Sequence, residues 1–589
     1  MKNNNETLQD MLSENYFVIP NYQRAYAWGE NQLNTFIDDL KSYRSFSTHE
    51  KPYFLGTFLL SIDPSHHSLS NYCVVDGQQR LTTSILYASC VVRILKQNDI
   101  DTTHLHNLFI GDRSCRKLKA IDQDNAFFDQ YVLEGNLNCV AETPSQNRLL
   151  QAVKIIDNRL SEMSVSDLVR DIETLQHAKI LTYTVSSESE ATQIFEFQND
   201  RGKKLTDLEV IKSFLMHSVY IYCENARKTE GILNVIQSNF TKIYRTLESM
   251  ADLIGRSKED TILSYYITAY LRPLKFDDDK DGASHPKDFI KYLLSRKQTD
   301  NSQRVRWIEN FSKELMKTFE TVKAILRYRD EDENLGGLFV LGRVAPFWPL
   351  LIKAWDIDDD LQKDNFRQIV KLCMRFAFRT SIAGLRSNTG VEHLRRDANQ
   401  FADKDSFHGL MSKLSGMSET WWDIDIKFQR GLNERHIYNS GNQVKFLLWK
   451  YENHLRARNG RHAQHALTWK DMIEKSGTLQ MTVDHILPQH PSDPAEKSLL
   501  DKEIPGRPGE KTQSFRNLYL HCLGNLVLDT RSGNSSNGCR RFSEKTDESR
   551  YGFMQSQAEL KSFSENTGIW DEKSITKRQE KLIDFALTI

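Results

Sequence analysis

Through residues 223–430 apolar positions recur at three- and four-residue spacings, as in "FRQIVKLCMRFAF" (366–378), and the region is predicted to be mainly helical. Two acidic, glycine-containing stretches, "KFDDDKDGASHPKD" and "RDEDENLGG", interrupt that period and read as loops. Residues 1–222 follow a different pattern, short β-rich runs mixed with amphipathic helical stretches. In "YCVVDGQQRLTTSILYASCVV" (72–92) the apolar run reads as a buried strand, Gly77 as a turn, and the remainder as a helix opening near Leu81 or Thr82. Further on, Thr206 and Glu209 have the spacing of a capping box, and Leu208, Ile211, Leu215 and Val219 then share one apolar face. Residues 431–589 open with a basic, aromatic stretch and carry two strand-like runs, "TVDHILPQH" (482–490) and "LGNLVLDT" (523–530). The expectation is a multidomain α+β chain divided at 1–222, 223–430 and 431–589.

Composition narrows the classes. A chain of 589 residues exceeds one hydrophobic core, and 39% apolar with 27% charged residues is that of a globular protein. No apolar run approaches the roughly 18 residues that cross a bilayer, and "MKNNNETLQD" has no signal core. The eight Cys are scattered without a CxxC pair, so reduced thiols and a cytoplasmic setting are expected, with no membrane partner. A net charge of −1 rules out whole-surface attraction to a polyanion, which must meet a local patch. The best patch runs from Lys445 through Lys450, Arg456, Arg458 and Arg461 to Lys470, with Glu452 its one acid. It reads as a DNA-phosphate contact or as a solvated helix face. "RFAFRTSIAGLRSNTGVEHLRR" (375–396), also basic, reads as a sensing surface or a domain interface.

An Asp–His pair alone decides nothing, but Asp484 and His485 are followed by Asn525 and Asn534 in "LGNLVLDTRSGNSSNG". A strand, a long loop, a second strand and a helix bring Asp484, His485 and Asn534 together, the layout of a ββα-metal, or HNH, nuclease. Mg²⁺ prefers oxygen ligands, which the Asp484 carboxylate and the Asn534 amide supply, and Mn²⁺ accepts the same set. A neutral His485 accepts a proton from an attacking water, while Asn525 pins the loop that orients the ring. Asn537 is the alternative to Asn534, which the spacing favours. His490 and His521 read as surface or loop histidines, Phe542 as packing, and Lys545 as solvated or phosphate-facing. The Pro- and charge-rich insert 491–519 reads as an exposed loop.

The N-terminal region offers an anion site. Asp76, Gly77, Gln78, Gln79 and Arg80 precede a helix that begins near Thr82, so a guanidinium and free backbone N–H groups face one space. The same residues read equally well as a strand-to-helix turn with Arg80 paired to Asp76. Gln23 and Arg24 in "FVIPNYQRAYAW", and Asn199 and Arg201 in "FEFQNDRGKK", give three loops that each join an Arg to a Gln or Asn. No GxxxxGK[ST] or GxGxxG occurs, so Walker-type and Rossmann sites are excluded as motifs.

"IPNYQRAYAW", "VVDGQQRLTT" and "FEFQNDRGKKLTDLEVIK" resemble the signatures of the GmrS-type domain, a ParB/sulfiredoxin-like nucleotide-binding fold. "VDHILPQ", "LGNLVL" and "NSSNGCRRFSEK" are similar to the GmrD-type HNH domain. In this order they resemble the GmrSD family of modification-dependent restriction enzymes. The resemblance implies an endonuclease acting on double-stranded, modified phage DNA under control of GTP, ATP or CTP. The oxygen ligands point to Mg²⁺ or Mn²⁺, and the single Asp–His–Asn set, breaking one strand per encounter, to nicking. The resemblance also places Asp76 to Arg80 in the nucleotide site, and leaves a homo-oligomer open. The competing expectation is a nucleotide-switched binding or effector protein with an inactive or RNA-directed HNH domain.

Overall fold

The computed structural model describes the chain outside residues 1, 22, 45–52, 63–70, 137, 186–205, 224–225, 251–258, 278, 297–299, 459–465, 473–480, 506–511, 548–553 and 565–567. It is an α+β structure, mostly helical. The chain forms two compact units, Met1–Ser264 with Lys275–Glu320, and Tyr265–Leu274 with Thr321–Ile589.

In the first unit six strands make a mixed sheet: β1 (Lys2–Thr7), β2 (Tyr16–Val18), β3 (Phe54–Ile62), β4 (Asn71–Asp76), β5 (Leu118–Lys119) and β6 (Lys179–Val185), in the order β1–β6–β3–β4–β2–β5. The helix α1 (Gln78–Gln97) follows β4 directly. Residues 81–92 of α1 are buried on every side, so it is the central helix of this unit rather than a surface one. It opens at Gln78, a turn earlier than its apolar pattern suggests, because Gly77 at φ 93° ends the strand and caps the helix at once. That backbone favours glycine, and a Cβ there would come within 2.5 Å of the Phe58 ring.

Two further helices complete the surroundings of the site. The helix α2 (Pro144–Ser161) has Thr143 as N-cap and Pro at its first position, where a missing N–H costs nothing. The expected capping box is present: Thr206 and Glu209 satisfy each other's backbone N–H and start α3 (Asp207–Tyr222), with Leu208, Ile211, Leu215 and Val219 fully buried. Next comes α4 (Ala226–Ser249). Helices continue through the middle of the chain, including α5 (Asp364–Ile382), as expected. The stretch expected as an acidic loop at 329–337 ends instead as helix Glu333–Val340, because Asp332 accepts from the Leu335 N–H as its N-cap.

In the second unit α6 (Asn442–Arg458) packs on a two-stranded antiparallel ladder, β7 (Met481–His485) with β8 (Leu526–Thr530), and β8 runs into α7 (Arg531–Asn537). Thr530 caps α7 through the Gly533 N–H. The insert between the strands is not an exposed loop. It holds a helix Pro494–Asp501 and a short ladder, and its Leu500 and Phe515 enter the core with Ile486, Leu487, Val527 and Trp570. Pro494 starts the helix rather than excluding structure: Asp493 caps it and Pro494 takes the first position. The last helix, α8 (Glu572–Thr588), lies so close to 523–525 that a Cβ on Gly524 would stand 2.1 Å from the Ile575 carbonyl. Among the described residues no helix is long and apolar enough to cross a membrane.

Candidate functional site

Register brings the C-terminal residues together. Asp484 pairs with Val527 and His485 with Leu526 across the β7–β8 ladder, and α7 follows at the end of β8. Asp484 and His485 are 5% and 4% exposed, so neither is a surface residue. Lys545, expected to be solvated or phosphate-facing, is fully buried. Its ammonium donates to Asp484 Oδ2 at 2.9 Å and to the His485 carbonyl at 2.6 Å. A buried carboxylate needs such a partner. Phe542, one turn earlier, is packed against Trp570 as expected.

The His485 ring lies 4.4 Å from Tyr438, between His521, whose Nδ1 is 3.1 Å from His485 Nε2, and Gln489, whose amide nitrogen is 3.2 Å from Nδ1. Burial, His521 and the Lys545 charge, in that order, push its pKa down to about 3, so His485 is neutral at pH 7. His521 is thus not a plain loop histidine. It contacts the candidate base directly.

Asn525 is completely buried, and its four bonds account for the "LGN" stretch. Oδ1 accepts from the Leu487 and Trp570 N–H groups, and Nδ2 donates to the Leu520 and Leu487 carbonyls. This fixes the loop leaving His485. On α8, Arg578 donates to the Gly524 and Leu526 carbonyls and holds the other side. Asn534 donates its amide to Thr482 Oγ1 at 3.0 Å and the Val483 carbonyl at 3.4 Å, which ties α7 to β7 beside Asp484. Asn537 instead donates to Asp529 on β8, whose carboxyl pKa is raised by burial and by nearby Asp484.

The donor set suits a hard dication. Asp484 offers a carboxylate, and the Asn534 carbonyl oxygen takes part in neither bond of its amide. Among the described residues no three His, Cys, Asp or Glu are grouped to hold a metal. An ion here would rest on these two oxygens and keep most of its waters, as Mg²⁺ does.

In the N-terminal unit the residues singled out from sequence divide. Gln79 accepts from the Ala27 N–H and donates to the Ala25 carbonyl, while Gln23 donates to the Val75 carbonyl and Gln78 reaches the Arg24 carbonyl. These glutamines fasten the 23–28 loop to β4 and α1. Arg80 donates to the Leu55 and Thr57 carbonyls, with Asp76 at 3.9 Å, and braces β3. Thr82 is buried within α1. Asn199 and Arg201 lie outside the described residues.

Beside the loop lies a cavity of ≈ 80 Å³ lined by Gln23, Arg24, Arg148 of α2, Lys212 and Glu209 of α3, Tyr244 and Glu259. It holds a phosphate-sized anion or several waters. Lys212 is 4% exposed and, like Arg148, makes no hydrogen bond or ion pair among the described residues. Burial lowers the Lys212 pKa to about 8, against the pull of Asp124 and Glu209. Burial also lowers that of Arg24. Two further polar atoms nearby, Gln23 Oε1 and Asp124 Oδ2, are buried without partners. Arg148 and Lys212 were not visible as site residues in the sequence, where each is a single charge on an amphipathic helix.

The basic stretch also divides. Arg456 is buried against Glu452 at 2.6 Å, and Lys450 meets Glu333 at 3.1 Å. Lys445 stands near Arg531 at the start of α7, and Arg458 is exposed. Arg461 lies outside the described residues.

Comparison with known families agrees with this division. A model described as GmrSD restriction endonuclease, N-terminal domain, matches residues 6–216, and one described as GmrSD restriction endonucleases, C-terminal domain, matches residues 422–585. No curated protein matches the chain.

Proposed function

The chain belongs to the GmrSD restriction endonuclease family, and from that premise we propose an HNH-type, metal-dependent DNA endonuclease under nucleoside triphosphate control that restricts modified phage DNA. One observation carries the nuclease reading: a neutral, buried His485 beside Asp484 on β7, with Asn534 on the helix that follows the partner strand. Asp484 and Asn534 would hold Mg²⁺ or Mn²⁺, which supplies charge stabilisation at the phosphate and the departing 3′ oxygen. His485 takes the proton of the attacking water. Exchanging its contact with half-buried His521 for that water presents Nε2 to it. The phosphodiester's negative charge raises the His485 pKa toward the working range, because an adjacent anion favours the charged imidazole. Lys545 holds Asp484 in place, and Asn525 fixes the loop on which the ring is carried.

The regulatory reading rests on the first unit, proposed as a ParB/sulfiredoxin-like domain. Enclosing a charge is costly: burial lowers the Lys212 pKa despite Asp124 and Glu209, and an anion seated among Lys212, Arg148 and Arg24 offsets that cost. At ≈ 80 Å³ the cavity receives one phosphoryl group, with the rest of a nucleotide outside it. The test is a time course on supercoiled plasmid, modified phage DNA and RNA, with and without Mg²⁺ and each of ATP, GTP and CTP. One Asp–His–Asn set breaks one strand per encounter, so open-circular product precedes linear. Cleavage independent of divalent metal rejects the metal-dependent mechanism, and cleavage of RNA alone rejects the DNA substrate.

A further inference from the structure

A second, larger cavity of ≈ 410 Å³ lies wholly in the second unit, between helix Glu333–Val340, α5, α6 and the end of α8. Its volume is in the range of small-molecule sites. Lys450 and His454 enter it from successive turns of α6, and Lys371 of α5 lines it as well. Lys371 is exposed, and neither it nor His454 makes a hydrogen bond or ion pair among the described residues. Lys450 is neutralised by Glu333, and Arg456, also in the lining, by Glu452. The walls differ in character. Met374 and Phe585 are apolar, Phe585 lies 4.9 Å from the His454 ring, and Asn334 supplies an amide. The Lys371 ammonium and the imidazole of His454, which burial holds toward its neutral form, stand beside an aromatic wall and an amide edge and suit a ligand with a phosphate, a flat ring and hydrogen-bonding edges.

That is the chemistry of one nucleotide. A duplex, about 20 Å across from its grooves and phosphates, has no room in such a volume, whereas a single base with its phosphate at the rim does. We propose that this cavity receives a nucleotide extruded from the DNA substrate, its base between Phe585 and Met374 and its phosphate near Lys371 and His454. The inference rests on the endonuclease reading for the identity of the polymer. The ring contact with His454 is sequence-tolerant, because every base presents a π-face, while Asn334 is placed to distinguish edge substituents. The helix α6 also packs on β7 and β8, so the cavity and the candidate nuclease strands share one rigid element.

Base extrusion is read in a His485→Ala background, which separates this test from the nuclease reading: a chain that extrudes and never cuts keeps this proposal and loses the other. Duplexes carry 2-aminopurine next to cytosine, 5-hydroxymethylcytosine or its glucosylated form, and fluorescence is followed at saturating protein. The expected result is a several-fold rise on at least one modified duplex, lost in Ala457→Trp, which fills the cavity, and reduced in the surface variant Lys371→Glu. Circular dichroism checks the Trp variant, and Lys371→Glu carries the test if that variant misfolds. A free nucleotide ligand is the competing source: deoxycytidine monophosphate binding at this cavity without extrusion overturns the proposal. So does the absence of any fluorescence rise, or a rise that neither variant alters.

Discussion

The two candidate centres use their polar residues in opposite ways. Around β7 and β8 the residues that stand out in the sequence lie on one small ladder: Asp484 and His485 end β7, Asn534 binds Thr482 and Val483 of the same strand from α7, and Asn525 is buried just before β8. Around β4 and α1 the most conspicuous motif, Asp76 to Arg80, is largely committed to backbone carbonyls and N–H groups of its own unit. There only Gln23 and Arg24 of the conspicuous residues line the cavity, and its other cations, Arg148 and Lys212, come from inconspicuous helices. A polar motif is therefore chemistry or scaffold according to where its hydrogen-bonding capacity goes.

The largest expected effect that sharpens this contrast is at Lys545. Replacing it with Met removes the buried ammonium that Asp484 and the His485 carbonyl share, a change worth about 3–5 kcal/mol of stability. Urea unfolding of the variant checks it, and Asp484→Asn in the same background should restore a large part of the loss. An unchanged midpoint would place Lys545 in solvent after all.

Next is Lys212→Met. A buried, unpaired ammonium is removed, so stability stays the same or rises, while triphosphate affinity falls by about 10²-fold, the scale of one or two charge-assisted bonds. Calorimetry with each nucleotide reads both. The pH dependence has a fixed sign. Free Lys212 titrates near 8 and a bound anion raises that value, so binding takes up a proton above pH 8 and weakens as pH rises further. Affinity independent of pH between 7 and 10 contradicts the assignment.

A third pair breaks or preserves the distinction between motif and cavity. Arg148→Ala should weaken nucleotide binding about tenfold with little effect on stability. Arg80→Ala should instead cost about 1–3 kcal/mol of stability by leaving the Leu55 and Thr57 carbonyls unpaired. Equilibrium unfolding and calorimetry on both variants separate the roles, and the reverse pattern returns the anion site to Arg80.

Much of the fold follows from local rules that the sequence displays. Helix periods, the Thr206–Glu209 box and the strand–turn–helix at Gly77 depend on neighbours within four residues. What stayed hidden depends on contacts across tens of residues. Lys545 is buried by a partner 61 positions away, and Asn147 of α2 meets Glu248 of α4 across 101 positions. Nothing local distinguishes such charges from solvated ones. The insert 491–519 misled for a related reason: Asp493 serves as a helix cap, and among the described residues just two, Leu500 and Phe515, are buried anchors.

The smallest effect concerns acid stability. Unfolded histidine titrates near 6.5 and His485 at about 3, so only the unfolded state gains this proton between those values. Its contribution to stability is complete above pH 6.5 and is lost as pH falls toward 3. His485→Gln should flatten that part of the stability profile, measured by chemical unfolding from pH 7 to 4. An identical slope in both proteins assigns the acid loss elsewhere.

The central claim is tested most directly by plasmid cleavage with His485→Ala in Mg²⁺, from preparations free of contaminating nuclease. The account predicts a loss of about 10²–10⁴-fold in nicking rate, the usual scale for a positioned general base, with nucleotide binding by the first unit intact. Cleavage at the wild-type rate would contradict it and move the nuclease centre away from the β7–β8 ladder.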